Sequence, residues 1–266
     1  MTGPTQYEET IDRLIERSRQ QLKRIPYDES RVPAEDRMSD EKKGIAAPPL
    51  EHPIPEGAVT IPLPAIDEID VGTAPLREVL RQRRSRRTFS DAAFTQEELA
   101  SLCWSVAGVH RVGPEKRWAK RTSPSSGARH PFETYLVIER VHGIEPGLYR
   151  YSGLRHALVR VRAEAAICTK LSEGSLQAFV KDSAVLFVWT TVPYRSEWRY
   201  LFAGAKLTAI DIGHYGQNLY LAAASIGAGA CTITSYDQSA LDCCLGVDGT
   251  DEFTLYLAAV GKRSAE

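Results

Sequence analysis

Four arginines fall within five positions of this chain, at Arg83, Arg84, Arg86 and Arg87, with Ser85 among them. Guanidinium groups this close repel one another unless an anion neutralises them. Their planar forks suit phosphate oxygens, and a serine hydroxyl adds a short bond of its own. The cluster reads as a phosphate clamp. A solvated basic surface or a nucleic-acid patch would have the same composition.

Two further stretches could contact a ligand. Arg121-Thr-Ser-Pro-Ser-Ser-Gly-Ala-Arg-His-Pro131 is rich in hydroxyls and small residues. Small residues let the backbone approach a flat ligand, and hydroxyls and amides supply directed bonds. An ordinary turn is the alternative. From Asp211 to Ala230 small residues recur along a helical stretch that breaks at Gly227 and Gly229. Most of this helix reads as core packing, whereas the break exposes backbone amides to a ligand.

These segments need elements to hold them. The arginine cluster follows a helical stripe of Leu76, Val79 and Leu80, and the compact domain should begin near Pro75. A second helix has a capping box at Thr95 and Glu98 and a hydrophobic staple between Phe94 and Leu99. Its apolar face is Leu99, Leu102, Cys103 and Val106, and Gly108 can end it. Strand-like runs cover 132–138, 147–151, 157–161, 184–191, 229–233 and 254–260. Helical segments lie near 163–181 and 205–226. Strands and helices mix without strict alternation, which predicts an α+β fold. No Rossmann or Walker glycine pattern follows a strand.

The first 70 residues differ in character. Residues 6–24 predict a charged helix, with capping-box spacing at Thr5 and Glu8 and a thin stripe of Ile11, Leu14, Ile15 and Leu22. The prolines that follow, from Pro26 to Pro64, exclude regular structure over any length. This part reads as an arm along another surface or a disordered tail. The division is thus arm over 1–70 and domain over 71–266.

Bulk composition narrows the classes. With 43% hydrophobic residues the chain of 266 can bury a real core. A formal net charge of −1 gives no overall electrostatic case for nucleic acid or an anionic membrane. Five cysteines at irregular spacing, without C-x-x-C, argue against a disulfide framework or a metal site and favour a reducing cytoplasm. No signal-peptide pattern opens the chain. Residues 212–236 lack charge, but His214, Gln217, Asn218 and four glycines favour a buried helix and a strand over a membrane span.

Taken in order, the motifs resemble the nitroreductase-like flavoproteins, in particular the SagB-type branch that includes azoline dehydrogenases of peptide modification. The matching pieces are R-R-S-R-R-T-F at 83–89, the 121–131 loop, G-L-Y-R-Y at 147–151, D-I-G-H-Y-G-Q-N-L-Y-L-A-A at 211–223 and D-G-T-D-E-F-T-L-Y-L-A-A-V-G-K at 248–262. The resemblance implies a sandwich with a central, mostly antiparallel sheet flanked by helices, in an intertwined homodimer. It also implies two FMN sites at the dimer interface. Arg83, Arg84, Ser85 and Arg87 would hold the FMN phosphate and ribityl chain. Pro124, Ser125, Ser126 and Gly127 would line the flavin from the other subunit. Gln217 would join the binding set, Gly227, Ala228 and Gly229 would pass near the ring, and Lys262 or Arg263 would complete the phosphate site.

Azoline dehydrogenases of this branch carry a Lys-Tyr pair proposed to remove protons. The aligned pair here is Arg199-Tyr200. Arginine stays protonated near neutral pH and is a poor general base. Tyr200 can donate a proton, bind substrate, or simply pack. The expected activity is hydride transfer through flavin N5 on a small molecule, with NAD(P)H a candidate donor. The alternatives are azoline oxidation in a modified peptide and flavin binding without catalysis.

Overall fold

The computed structural model describes residues 11–23, 38–162 and 165–264. Its strands are β1 (Thr60–Pro62), β2 (Val109–Val112), β3 (Ala119–Arg121), β4 (Phe132–Ile138), β5 (Gly147–Ser152), β6 (Ala157–Arg162), β7 (Val185–Thr191), β8 (Ala228–Ile233) and β9 (Phe253–Lys262). Its helices are α1 (Ile11–Lys23), α2 (Leu76–Gln82), α3 (Gln96–Ala107), α4 (Ala165–Gly174), α5 (Tyr194–Tyr200), α6 (Gly204–Ser225) and α7 (Gln238–Leu245). Seven strands form one antiparallel sheet in the order β1-β6-β5-β4-β7-β9-β8, and β2 and β3 pair separately.

The sheet is covered on both faces, which is why its central strands read as continuous apolar runs. Side chains alternate across a strand. On β4, Phe132, Leu136 and Ile138 join the core beneath α3 and α6, while Tyr135 and Val137 join the core beneath α4 and α7. On β7, Val185, Phe187 and Trp189 point to the first core and Leu186 and Val188 to the second. The expected α+β sandwich with helices flanking an antiparallel sheet is the fold observed.

The capping box predicted for α3 is formed. Thr95 Oγ1 accepts from Glu98 N at 3.2 Å, and Glu98 Oε2 accepts from Thr95 N at 2.9 Å. At the other end of α3 the hydroxyl-rich loop takes the carbonyls of the last turn, of which Val106 and Ala107 lack intrahelical partners and Trp104 is shared with the Gly108 N–H. Thr122 Oγ1 donates to Trp104 O at 2.8 Å, Ser123 Oγ to Val106 O at 2.7 Å and Arg121 Nη1 to Ala107 O at 3.2 Å.

Several expectations need correction. The break at residue 70 is not a packing boundary. Leu50 and Leu63 are buried, and β1 is the edge strand paired with β6. Pro62 ends β1 at the sheet edge, where a missing N–H is tolerated. Glu51 is buried in an ion pair with Arg121 at 2.9 Å, and Glu51 Oε1 accepts from the backbone of Gly153 at 3.0 Å. The helix expected over 163–181 ends at Gly174 and is followed by a short 3-10 turn, Ala178–Asp182. The β2–β3 hairpin, α5 and α7 carry no clear periodicity, and the sequence reading does not include them. α1 falls inside its predicted span, but its cap at Thr5 and Glu8 lies outside the described residues. Its apolar stripe is exposed, as are Leu76 and Leu80 on α2, where only Val79 is buried.

α6 is 22 residues long, about 33 Å at 1.5 Å per residue. Ile212, Tyr215, Leu219 and Ala223 bury one face, while Ile210, Gly213 and Gln217 lie on the exposed one. The uncharged stretch 212–236 is thus the end of α6 followed by β8. Among the described residues no helix is long and apolar enough to cross a membrane.

Candidate functional site

The arginine cluster is pinned to the free edge of β8. Ser85 bridges Ala230, and Arg86 N donates to Ala230 O at 2.9 Å. Ser85 Oγ lies 3.0 Å from the Tyr220 hydroxyl, and the Arg83 guanidinium sits 5.1 Å over the Tyr220 ring. The break after α6 meets the same place. Gly227 has φ +72°, a conformation that favours glycine, and its carbonyl accepts from Arg263 Nε at 2.7 Å. A Cβ on Gly229 would come within 2.8 Å of Arg86 Cβ. Sequence segments far apart in the chain, 83–87, 227–229 and 263, therefore converge within one subunit.

This cluster fits a phosphate group. Arg83, Arg84 and Arg87 form no ion pair with any carboxylate among the described residues, so their charge is not neutralised from within. Arg83 and Arg84 border a cavity with Arg86, Tyr220, Ala228 and Arg263 that holds about 10 Å³ within one subunit, room for about one water, whereas the Arg87 guanidinium lies apart from it, 5.9 Å over the Phe179 ring. Of the two basic residues named for the phosphate site, Lys262 has its ammonium paired with Glu98 and 5.3 Å over the Phe94 ring. Arg263, just past the end of β9, lines the cavity with Arg83 and Arg84.

The second cluster lies nearer the start of α6. Asp211 is buried and organises the loop 124–127. Its carboxylate accepts from Ser125 Oγ at 2.7 Å, Ser126 N at 2.8 Å and Ser126 Oγ at 3.2 Å. Ser125 Oγ in turn accepts from His130 N at 2.9 Å. The two serine hydroxyls are thus committed to Asp211 on α6, and what the loop presents outward is backbone and Gly127. Pro124 O is 3.2 Å from His214 Nδ1. Beyond Gly127 the backbone is held in the left-handed region at Ala128 (φ +54°) and His130 (φ +44°), conformations that non-glycine residues keep only when neighbours fix them. His130 is buried, with Nε2 2.9 Å from Ala119 O. Burial, then the charge of Arg121, push its pKa down to about 3, so it is neutral.

Arg199 and Tyr200 join this second cluster. A Cβ on Gly127 would meet the Tyr200 hydroxyl at 2.5 Å, so only glycine allows that approach. α5 is placed by Arg195, whose Nη2 pairs with the buried Glu133 at 2.5 Å. Burial alone would raise the Glu133 pKa, but Arg195 and Arg150 outweigh it and hold the carboxyl below its ordinary value. Arg199 Nη1 pairs with Glu41 Oε1 at 3.2 Å beside a cavity of about 420 Å³.

The two clusters are not brought together within one chain. Asp211 and Tyr220 are separated along α6 by about 13 Å, with Gln217 exposed on the helix between them. Asp211, Tyr220, Glu41 and Arg117 are site residues that the sequence reading misses. The one signal it offers is Asp211, a carboxylate at the head of an otherwise uncharged helical stretch.

Similarity to known proteins extends over most of the chain. The Nitroreductase family model matches residues 80–262, which include Arg83–Arg87, the loop 124–127, Arg199, Tyr200 and α6 but not Glu41 or Arg263. The “Putative nitroreductase MJ1384” of Methanocaldococcus jannaschii is 30% identical over 204 residues, covering 76% of this chain and 96% of that protein. A solved structure, “a putative nitroreductase” from Ralstonia eutropha, has a TM-score of 0.65 at 25% identity, covering 82% of this chain and 99% of that one. The trifolitoxin-processing protein TfxB of Rhizobium leguminosarum bv. trifolii is 30% identical over 134 residues, 48% of this chain and 36% of that protein. With a family match across most of the chain, a relative covered almost end to end and the same fold in a solved structure, the chain belongs to the nitroreductase family.

Proposed function

We propose that this nitroreductase-family oxidoreductase is an FMN enzyme acting as a homodimer, each site built from both subunits. The observation that carries this reading is the convergence of Arg83–Arg87, Gly227–Gly229 and Arg263 at one end of α6, with the loop 124–127 at a distance. A second copy packed head to tail along α6 would set one chain's arginine cluster against the other's loop. The exposed face of α6 suits such packing, because a Cβ added at Gly213 would meet nothing within 4 Å and Ile210 is half exposed. The exposed Leu76 and Leu80 would be covered by the same contact.

FMN bound there supplies hydride chemistry at N5. Arg83, Arg84 and Arg87, with Ser85, would hold its phosphate, and Arg263 steadies the backbone at Gly227. The backbone of 227–229 would lie beside the ring, and the partner's copy of the loop would exclude water from it. Tyr200 holds a proton beside Gly127, and Arg199 supplies fixed positive charge. Cys103, Cys231, Cys243 and Cys244 are free thiols, which fits a reducing, cytoplasmic setting.

Anaerobic stopped-flow reduction of the bound flavin by NADH and NADPH tests the reading. Rapid bleaching supports a small-molecule reductase. A protein that takes up no FMN ends the proposal, and flavin uptake without reduction by any donor makes it a flavin-binding protein. A second reading, oxidation of azolines in a modified peptide, draws on the likeness to the trifolitoxin-processing protein. The arginine at 199 counts against it, since that side chain is a poor base.

A further inference from the structure

The cavity beside Gly127 is lined by Glu41, Glu115, Arg117, Trp118 and Arg199, and its volume of about 420 Å³ suits a small organic molecule. Two guanidiniums meet a single carboxylate oxygen there. Glu41 Oε1 accepts from Arg117 Nη2 at 3.2 Å and from Arg199 Nη1 at 3.2 Å. A guanidinium carries five N–H donors, so one shared oxygen leaves most of them unengaged. Glu115 stands exposed at the rim and forms no ion pair among the described residues.

More positive charge lies behind this wall. Arg129 is buried, with its guanidinium 4.7 Å over the Trp198 ring and its Nη2 without a hydrogen-bond partner. Burial, then Arg195, push its pKa down to about 10, and Arg199 and Arg117 act in the same sense while Glu41 opposes them. Arg129 is still charged at neutral pH, so among the described residues Glu41, paired with Arg117 and Arg199, is the carboxylate set against three guanidiniums.

Glu41 belongs to a segment that is well tied at the backbone. Its N–H donates to Trp198 O at 3.0 Å, and the neighbouring Asp40 accepts from the Tyr194 hydroxyl at 2.9 Å. Trp198 Nε1 donates to Ile45 O at 3.0 Å. Rotation of the Glu41 side chain to another staggered position would clear the seat between the arginines without moving the segment. A group of the same shape and charge would then fill it.

We propose that this cavity binds the carboxylate of an organic-acid substrate, seated between Arg117 and Arg199 where the Glu41 carboxylate lies in the free protein. Trp118 walls the apolar remainder of the molecule. The inference rests on the FMN reading, because Gly127 is what sets the cavity beside the flavin.

Isothermal titration calorimetry of the purified holoprotein with benzoate and with benzamide tests it. Benzoate should bind more tightly than benzamide. Glu41→Gln should tighten benzoate about fivefold, the effect of freeing a partly exposed ion pair, and leave benzamide unchanged. Adding Arg117→Gln should remove that gain. Glu41→Asp, which keeps the charge and shortens its reach, should give a smaller gain and serves if the Gln variant does not fold. Equal binding of the two ligands, or no gain in either Glu41 variant, overturns the proposal. The visible flavin spectrum of the same samples separates the two readings. Benzoate selectivity in a colourless protein that takes up no FMN would refute the FMN reading and keep the pocket. A yellow protein indifferent to benzoate would do the reverse.

Discussion

Asp211 Oδ2 lies 2.7 Å from Ser125 Oγ, and that contact fastens the loop 124–127 to α6. The same carboxylate takes the Ser126 amide and hydroxyl. Asp211→Ala leaves the Ser126 N–H without its acceptor. The expected cost is about 1–3 kcal/mol of stability, read by urea unfolding, together with weaker flavin retention. Unchanged stability would show that the loop is held by its other contacts.

Arg83 and Arg87 should matter for FMN and not for riboflavin. Each charged hydrogen bond to a phosphate is worth about 1.5–3 kcal/mol, so Arg83→Ala or Arg87→Ala should weaken FMN about 10- to 100-fold. Riboflavin, which lacks the phosphate, should bind the variants and the wild type alike. Flavin fluorescence titration measures both. Equal losses for the two flavins would assign the arginines to folding.

Gly213→Leu should separate the subunits without harming the monomer. The added side chain enters open space on the exposed face of α6, and leucine is the better helix former by about 0.8 kcal/mol. Sedimentation velocity should show half the wild-type mass, with the helical circular-dichroism signal kept and FMN lost. A variant that stays dimeric and yellow would place the interface elsewhere.

Tyr200→Phe removes the hydroxyl that abuts Gly127 and keeps the ring. Loss of a positioned proton donor should lower kcat about 100-fold with FMN content unchanged. Wild-type turnover would make Tyr200 a packing aromatic.

His130 should contribute to acid sensitivity. It is neutral in the folded protein, with a pKa pushed to about 3, against an unfolded value near 6.5. Between these values the unfolded chain binds the extra proton, so stability is full above pH ~6.5 and falls as the pH drops toward ~3. From pH 7 to pH 5 this group should cost about 2 kcal/mol. His130→Gln should flatten the pH dependence of urea unfolding by that amount, and an unaltered slope would show that the ring protonates in the native state.

Local chemistry in the sequence was enough for the fold's main elements. Both faces of the sheet are covered, so β4 and β7 had to be long apolar runs, and their limits could be read from the residues themselves. The α3 cap and the end of α6 at Gly227 are likewise written in neighbouring residues, because capping and helix breaking act over three or four positions. The arginine cluster, the small-residue loop and the glycine break could be picked out for the same reason.

Tertiary structure decided which of these pieces meet. That Arg263 and not Lys262 faces Gly227 depends on the phase of β9 against β8, and that Asp211 holds Ser125 depends on how α6 crosses the loop. Glu51 and Glu41 lie in a proline-rich stretch without periodicity, yet one is buried against Arg121 and the other seated between two arginines. Such pairings join residues tens of positions apart. They are fixed by packing and by the cost of burying a charge alone, which no local pattern in the chain encodes.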